Sequence, residues 1–339
     1  MQGKGKSGKN AVILALLGID FLLLERLMER DPEFAQRFDR AIGAPGREFI
    51  SSLFSAIPFS MTELLLLLTP ALLLLLLWIG IRASATRERT GRYVAAILCS
   101  SLLFFCGYVV LLSPGYRRPP IEDALGLSAV APGDAELSAC ADWLLGLAKE
   151  PERIPSEEEI VAALRAAYQR LGERRALSVA PGVTVKKTVT PLFSRLGLFG
   201  LYAFPFGEIT VAAECPMATR TFTLAHEMAH ASGYSREEEA DLVAFLACLE
   251  SGDRYLSYVG ATGMLSRMLT SLSESSPGVW ERTSGALPDA ARREISDANR
   301  VSEAEPAPAI ADSTPDYDRT VLLLVAFFRS LPEGGTVTR

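Results

Sequence analysis

Histidine is the scarcest chemistry-bearing residue in this chain, with two among 339 residues. Both fall in one short motif, which leaves none for a Ser–His–Asp set. Cysteine is sparse and odd in number, at five. Cys99 and Cys106 sit inside an apolar run and read as packing, while Cys140, Cys215 and Cys248 are too far apart in sequence to imply a disulfide framework. An exported domain can form a single disulfide, but no spacing here requires one. Gly-rich phosphate loops and tandem repeats are absent. Basic charge is also short: 34 Lys and Arg against 40 Asp and Glu leave a net charge of −6. That balance argues against a nucleic-acid partner.

Apolar side chains, by contrast, are abundant. They make up 49% of the chain and are concentrated before residue 115. Charge divides the same way, with 14 basic and 9 acidic residues before Pro120 and 20 basic and 31 acidic from there on. This predicts a membrane domain over 1–118 and an acidic, extracytoplasmic domain over 119–339. Three transmembrane helices are expected, near 11–28, 64–81 and 93–112. The first follows Lys4, Lys6 and Lys9, and Asp20 interrupts it. A signal peptide would begin in the same way, but no small-residue cleavage site follows. Leu64–Ile81 runs 18 residues without a charge, with Pro70 as an expected kink. Residues 32–60 alternate charged and apolar groups. They are expected to form an amphipathic segment at the bilayer surface or a helical hairpin packed on the second domain. Arg82, Arg87, Arg89 and Arg92 crowd the loop between the second and third spans. By the positive-inside bias that loop and the N-terminus are cytoplasmic, which places residue 113 onward outside a bacterial plasma membrane.

The two histidines lie in His226-Glu227-Met228-Ala229-His230. On a helix, positions i and i+4 share a face, so both imidazoles can point at one metal ion. Glu227 follows the first histidine, where its carboxylate can reach a metal-bound water. Zn2+ in a hydrolase takes three protein ligands and leaves one position open. The third ligand must be a carboxylate or a thiolate. Gly233 supplies a left-handed turn that ends the helix, and Ser235 is expected to cap the next. Among Glu237, Glu238 and Glu239, Glu238 fits a capping box with Ser235. Glu237 and Asp241 lie one turn apart, giving Glu237 as ligand and Asp241 as the group that orients a ligating histidine. Glu238 and Glu239 stay open as alternatives. Cys215 and Cys248 are thiolate candidates whose apolar neighbours favour burial instead.

This motif, followed by Glu-x-x-Ala-Asp, resembles the Glu-zincin metallopeptidases, which include thermolysin and the HtpX-type membrane proteases. A nearer resemblance is to an uncharacterised bacterial family of membrane-embedded zincin-like proteins, known as a domain of unknown function. It rests on Ile57-Pro58-Phe59-Ser60 before Glu63-Leu64-Leu65, on Phe206-Gly207-Glu208, and on Phe222-Thr223 through Asp241, spanning about residues 40–260. The resemblance implies a zincin-like domain, zinc held by His226, His230 and Glu237, and Glu227 as general base. Glu208–Val211 is, by the same resemblance, the candidate sheet edge that pairs with an extended substrate; an ordinary core strand is the alternative. The chain departs from the family in carrying Asp241 where Asn is common. The step from His230 to Glu237 is also shorter than the spacer of thermolysin-like and HtpX-like enzymes.

Outside the motif, helices are expected over 135–149, from Glu157 to about Leu171, from Asp253 to about Leu272, and over 321–328, with strands over 182–190 and 206–213 and a Pro-rich loop over 303–316. The expected fold is α+β and mostly helical, with N-terminal transmembrane helices ahead of a zincin-like domain with a small sheet. The expected activity is zinc-dependent hydrolysis of peptide bonds in exported or envelope proteins, with the bilayer and a protein or peptide substrate as partners. An oxyanion donor besides zinc is also required, and Tyr258 is the first candidate, with Tyr255 and Arg254 behind it. Two rival readings are a non-catalytic zinc-binding sensor or scaffold and a zinc amidase or esterase acting on cell-wall or lipid material.

Overall fold

The computed structural model describes residues 4–175, 177–180, 182–303 and 317–332. The expected loop thus lies outside the description from residue 304 to 316. The chain is mostly helical, with one three-stranded sheet among the described residues. It begins with helices α1 (Lys4–Arg30), α2 (Pro32–Phe38), α3 (Ala44–Phe54), α4 (Met61–Ala83) and α5 (Arg87–Leu111), and a single π-turn over Asp39–Gly43 joins α2 to α3. Local chemistry sets the starts. The Asp31 carboxylate accepts the Phe34 N–H at 2.8 Å, and the Ser60 hydroxyl accepts the Glu63 N–H at 2.9 Å, each satisfying a donor the helix cannot. Pro70 sits inside α4 and leaves the Leu66 carbonyl without its usual donor.

Among the described residues, α4 and α5 are long and apolar enough to cross a membrane. The first expected span falls within α1, where Asp20, Glu25, Arg26 and Glu29 break the apolar surface. Its C-terminal end packs Phe21, Leu24 and Met28 against α2 and the end of α5, and Glu25 pairs with Arg117 at 3.0 Å.

The segment expected to be amphipathic is helical through most of its length, but its polarity runs opposite to that of a helix in a water-soluble protein. Asp39, Gly43, Arg47 and Ser51 recur every fourth residue and form its buried stripe. Asp39 and Arg47 are 2% and 3% exposed. The apolar Phe49 and Leu53 face outward, 63% and 58% exposed.

Past α5 come two short helices, α6 (Ser113–Arg117) and α7 (Ile121–Leu125), then α8 (Asp134–Leu147) and α9 (Glu157–Arg175). The sheet follows, with β1 (Thr184–Lys187), helix α10 (Leu192–Arg195), β2 (Gly200–Ala203) and β3 (Glu208–Val211). Its order is β1-β3-β2, with β1 parallel and β2 antiparallel to β3, and Tyr202 opposite Ile209. Glu208–Val211 is therefore the central strand, buried at all four positions, and the substrate edge expected there is not there. An ordinary core strand fills that place; the edge beside the motif helix belongs to β2.

Helices α11 (Met217–Ala231), α12 (Glu237–Glu250), α13 (Arg254–Ser275), α14 (Pro277–Ala286), α15 (Asp289–Glu303) and α16 (Tyr317–Arg329) complete the chain. Helix α12 is buried on every side from Glu239 to Cys248, as its apolar composition requires. Around it pack Tyr168, Tyr234 and Phe327, which join its own Phe245 in one continuous core.

The sheet also seats the start of α4. The buried Glu208 carboxylate accepts the Thr62 N–H at 2.8 Å, the Ser60 hydroxyl at 3.0 Å and the Lys186 ammonium at 2.7 Å. Glu63 in turn accepts the N–H groups of Val189 and Thr190 at 2.8 and 2.7 Å.

Candidate metal centre

Helix α11 turns its apolar residues Leu224, Ala225 and Met228 into the core. His226 and His230 emerge one turn apart, with ring centroids 4.6 Å apart and planes at 84°. The helix stops at Gly233, whose φ of +93° is the left-handed conformation expected there. A side chain at Gly233 would also meet the Arg47 guanidinium at 2.8 Å and the Asp39 carboxylate at 2.9 Å.

The chain then reverses into α12, which delivers Glu237. Its Oε2 lies 3.1 Å from His226 Nε2 and its Oε1 3.5 Å from His230 Nε2. Ligand atoms of the three residues lie within 4.8 Å of one another, and together they can hold a metal ion. The cap of α12 differs from expectation. Arg236 occupies that position, and the Ser235 hydroxyl instead donates to the Leu112 carbonyl at 3.1 Å. Glu239 is buried and engaged elsewhere, accepting the Ile121 N–H at 3.1 Å and Arg236 at 2.9 Å. Burial raises its carboxyl pKa against the pull of Arg118 and Arg236.

Each imidazole is oriented through its other nitrogen. His226 Nδ1 lies 2.9 Å from Asp241 Oδ1, and His230 Nδ1 lies 2.7 Å from the Tyr234 carbonyl. A carbonyl only accepts, so His230 Nδ1 donates to Tyr234 and its Nε2 is the ring atom that faces Glu237. The Asp241 carboxylate accepts the Nδ1 N–H of His226 in the same way, and His226 Nε2 faces Glu237. Asp241 is itself fixed, through Oδ2, by Arg267 Nε at 2.5 Å, and that guanidinium lies over the Phe222 ring at 4.7 Å.

The electrostatics favour a cation. Burial pulls His226 down, but hydrogen bonds and charge from Asp241 and Glu237 outweigh it and hold the imidazole at about 10. Burial likewise pushes Glu237 up, and the two histidines outweigh it, holding the carboxyl far below its ordinary value. Asp241 is lowered too: burial opposes the shift, while Arg267 and His226 win. Neither Cys215 nor Cys248 belongs to this group of ligand atoms, and burial pushes their thiols up to about 11 and about 12.

Glu227 projects from α11 toward the sheet. Its Oε2 accepts the Tyr202 N–H of β2 at 2.6 Å. This needs close contact between helix and strand, and Gly200 permits it. A Cβ there would come within 2.6 Å of Thr223 and 3.3 Å of Glu227 Cγ.

Tyr258 does not join this cluster. It is buried in α13 with Tyr255 at 6.4 Å, and its hydroxyl environment is Thr262 and Glu294. The Tyr255 hydroxyl is 3.5 Å from that of Thr221, and Arg254 borders a cleft with Glu150 and Asp253. Tyr116 lies against the start of α12. Its backbone carbonyl accepts Arg236 Nη2 at 2.9 Å, one residue from Glu237, and its side chain is 42% exposed. Burial raises the phenol pKa and the Glu237 charge raises it further. No local pattern marks Tyr116 in the sequence, because the turn that brings it here lies far downstream.

The family described as "Protein of unknown function (DUF3810)" matches residues 42–316, and the chain belongs to that family. Neither a curated protein nor a solved structure matches it.

Proposed function

We propose that this DUF3810 protein is a membrane-anchored, zinc-dependent metallopeptidase of the zincin type. The observation that carries the reading is the convergence of two Nε2 atoms and one carboxylate, with both imidazoles oriented from behind by Asp241 and the Tyr234 carbonyl. Two imidazoles and a carboxylate suit zinc, and three protein ligands leave a position open for water. His226, His230 and Glu237 hold the ion in this reading, and the bound ion supplies Lewis acidity to water and to the scissile carbonyl.

The chain's own groups do the rest. Glu227 takes the proton of the attacking water and delivers it to the leaving amine. The Tyr202 N–H keeps one of its oxygens in place, which leaves the other for that exchange. Tyr116, exposed and held through its carbonyl by Arg236 next to Glu237, donates to the developing oxyanion in place of Tyr258. The outer edge of β2 aligns an extended substrate. Helices α4 and α5 span the membrane in this reading, and the arginines of their connecting loop support a cytoplasmic loop with the metal centre outside.

Glu227→Gln separates catalysis from metal binding. The variant is expected to retain one zinc per chain by elemental analysis and to lose peptide hydrolysis. Retained zinc with no hydrolysis by the wild-type protein would favour a structural, non-catalytic role instead.

A further inference from the structure

The metal centre sits against the ends of the two candidate spans. Five hydrogen bonds place it there. Arg47 donates to the Ala231 carbonyl, next to His230, at 2.9 Å, and to the Leu111 carbonyl at the end of α5, also at 2.9 Å. Ser235, two residues before Glu237, donates to the Leu112 carbonyl at 3.1 Å. Tyr116, which flanks Glu237, is five residues beyond the end of α5. Glu208, beside the edge strand, binds the first turn of α4.

The edge strand points the same way. Strand β2 runs past Glu227 into the turn Phe204–Gly207, and the Phe204 ring packs on Phe104 of α5 at 5.2 Å. Phe206 packs on Phe54 of α3 at 5.4 Å. Phe104 lies about 10 Å, two turns, inside the end of α5. A strand paired with β2 would therefore leave the site toward the apolar part of α5. Beside that path α3 turns Phe49 and Leu53 outward, a face suited to lipid.

We infer that the substrates are polypeptides anchored in the same bilayer, cut in an extended stretch within about ten residues of their membrane boundary. This rests on the peptidase reading above. A centre held at the ends of α4 and α5 reaches the first extended residues of a neighbouring span without the unfolding or long tether that a raised site would need.

Full-length protein in phospholipid nanodiscs, loaded with zinc, tests this. The probes are single-span polypeptides carrying a pool of randomised sequences about 5, 10, 20 or 40 residues beyond the span, together with the same pool detached from any anchor. Cuts are read by mass spectrometry, with Glu227→Gln as the background. Cleavage is expected to be greatest at the two short distances, about tenfold lower at the longest and lowest for the detached pool. Equal cleavage of anchored and detached pools, or cleavage that begins only at the long distances, overturns the inference and leaves the peptidase standing. If zinc is bound but no pool is cut in any arm, the peptidase reading falls, and this inference falls with it.

Discussion

The turn between α11 and α12 and the segment from Asp39 to Ser51 use the same period for opposite purposes. In the first, His226 and His230 lie four residues apart and project toward a third ligand. In the second, Asp39, Arg47 and Ser51 keep a four-residue spacing, yet their polar atoms are spent on backbone and on each other. Arg47 holds Asp39 at 2.7 Å and reaches the carbonyls of Ala231 and Leu111. Periodicity tells which residues share a face; it does not tell whether that face meets an ion, water or another helix. Charge inside the fold serves packing in one region and gathers a metal-binding set in the proposed reading of the other, and the two meet at Gly233.

The comparison breaks most completely at Arg47. Arg47→Met leaves Asp39 buried without its partner, and we expect unfolding in denaturant to be easier by about 3–5 kcal/mol. Adding Asp39→Leu should recover part of that loss, which would identify the unpaired charge as the cause. A variant that unfolds like the wild type would show that this stripe is not a structural counterpart of the metal turn.

Tyr116→Phe tests the chemical side. Removing one oxyanion donor is expected to lower kcat about 100-fold with zinc content unchanged. Tyr258→Phe should leave kcat at the wild-type value, since that phenol lies with Thr262 and Glu294. An inverted result would return the role to Tyr258.

Asp241→Asn should weaken zinc affinity about 10- to 100-fold in competition with a chelator, because the amide orients His226 less firmly and carries no charge. Asn matches Asp in size, so the substitution is mild for the fold and a direct measure of what the carboxylate charge adds.

The smallest effect is expected from pH acting on Glu208. Burial pushes its carboxyl up, but Lys186 and Thr62 outweigh burial and hold it below the ordinary 4.5. A lowered carboxyl contributes stability that is fully present above the unfolded pKa and is lost as pH falls through the folded one. Thermal unfolding should thus be insensitive to this group above about pH 5 and fall below about 4, and Glu208→Gln should flatten that acid limb. An unchanged limb would place the acid sensitivity elsewhere.

What the sequence makes legible follows the same division. The motif helix is written locally: two histidines at i and i+4, a glycine to end the helix, and an acid leading the next. Glu237 emerges from that logic, and the structure brings it to both histidines although the predicted Ser235 cap is replaced by Arg236. The two long apolar helices are equally local. Strand β2 was missed because Gly-Leu-Tyr-Ala carries no alternation; the sheet and α11 impose its conformation. The central position of β3 depends on strand order, which no single stretch encodes. Tyr116 and Arg47 depend on contacts across most of the chain, and their sequence neighbourhoods resemble any basic, aromatic membrane flank.

The guanidiniums of Arg47 and Arg118 cross the line that composition draws near residue 118. They supply donors to the carbonyls of Ala231 and Gly233 from the lipid-facing half of the chain. A nick just after Arg118 that freed the C-terminal portion from the bilayer would strip both carbonyls of these partners and release the turn that joins His230 to Glu237. On the proposed peptidase reading, shedding would silence the released fragment, and its reach would end where its own tether does.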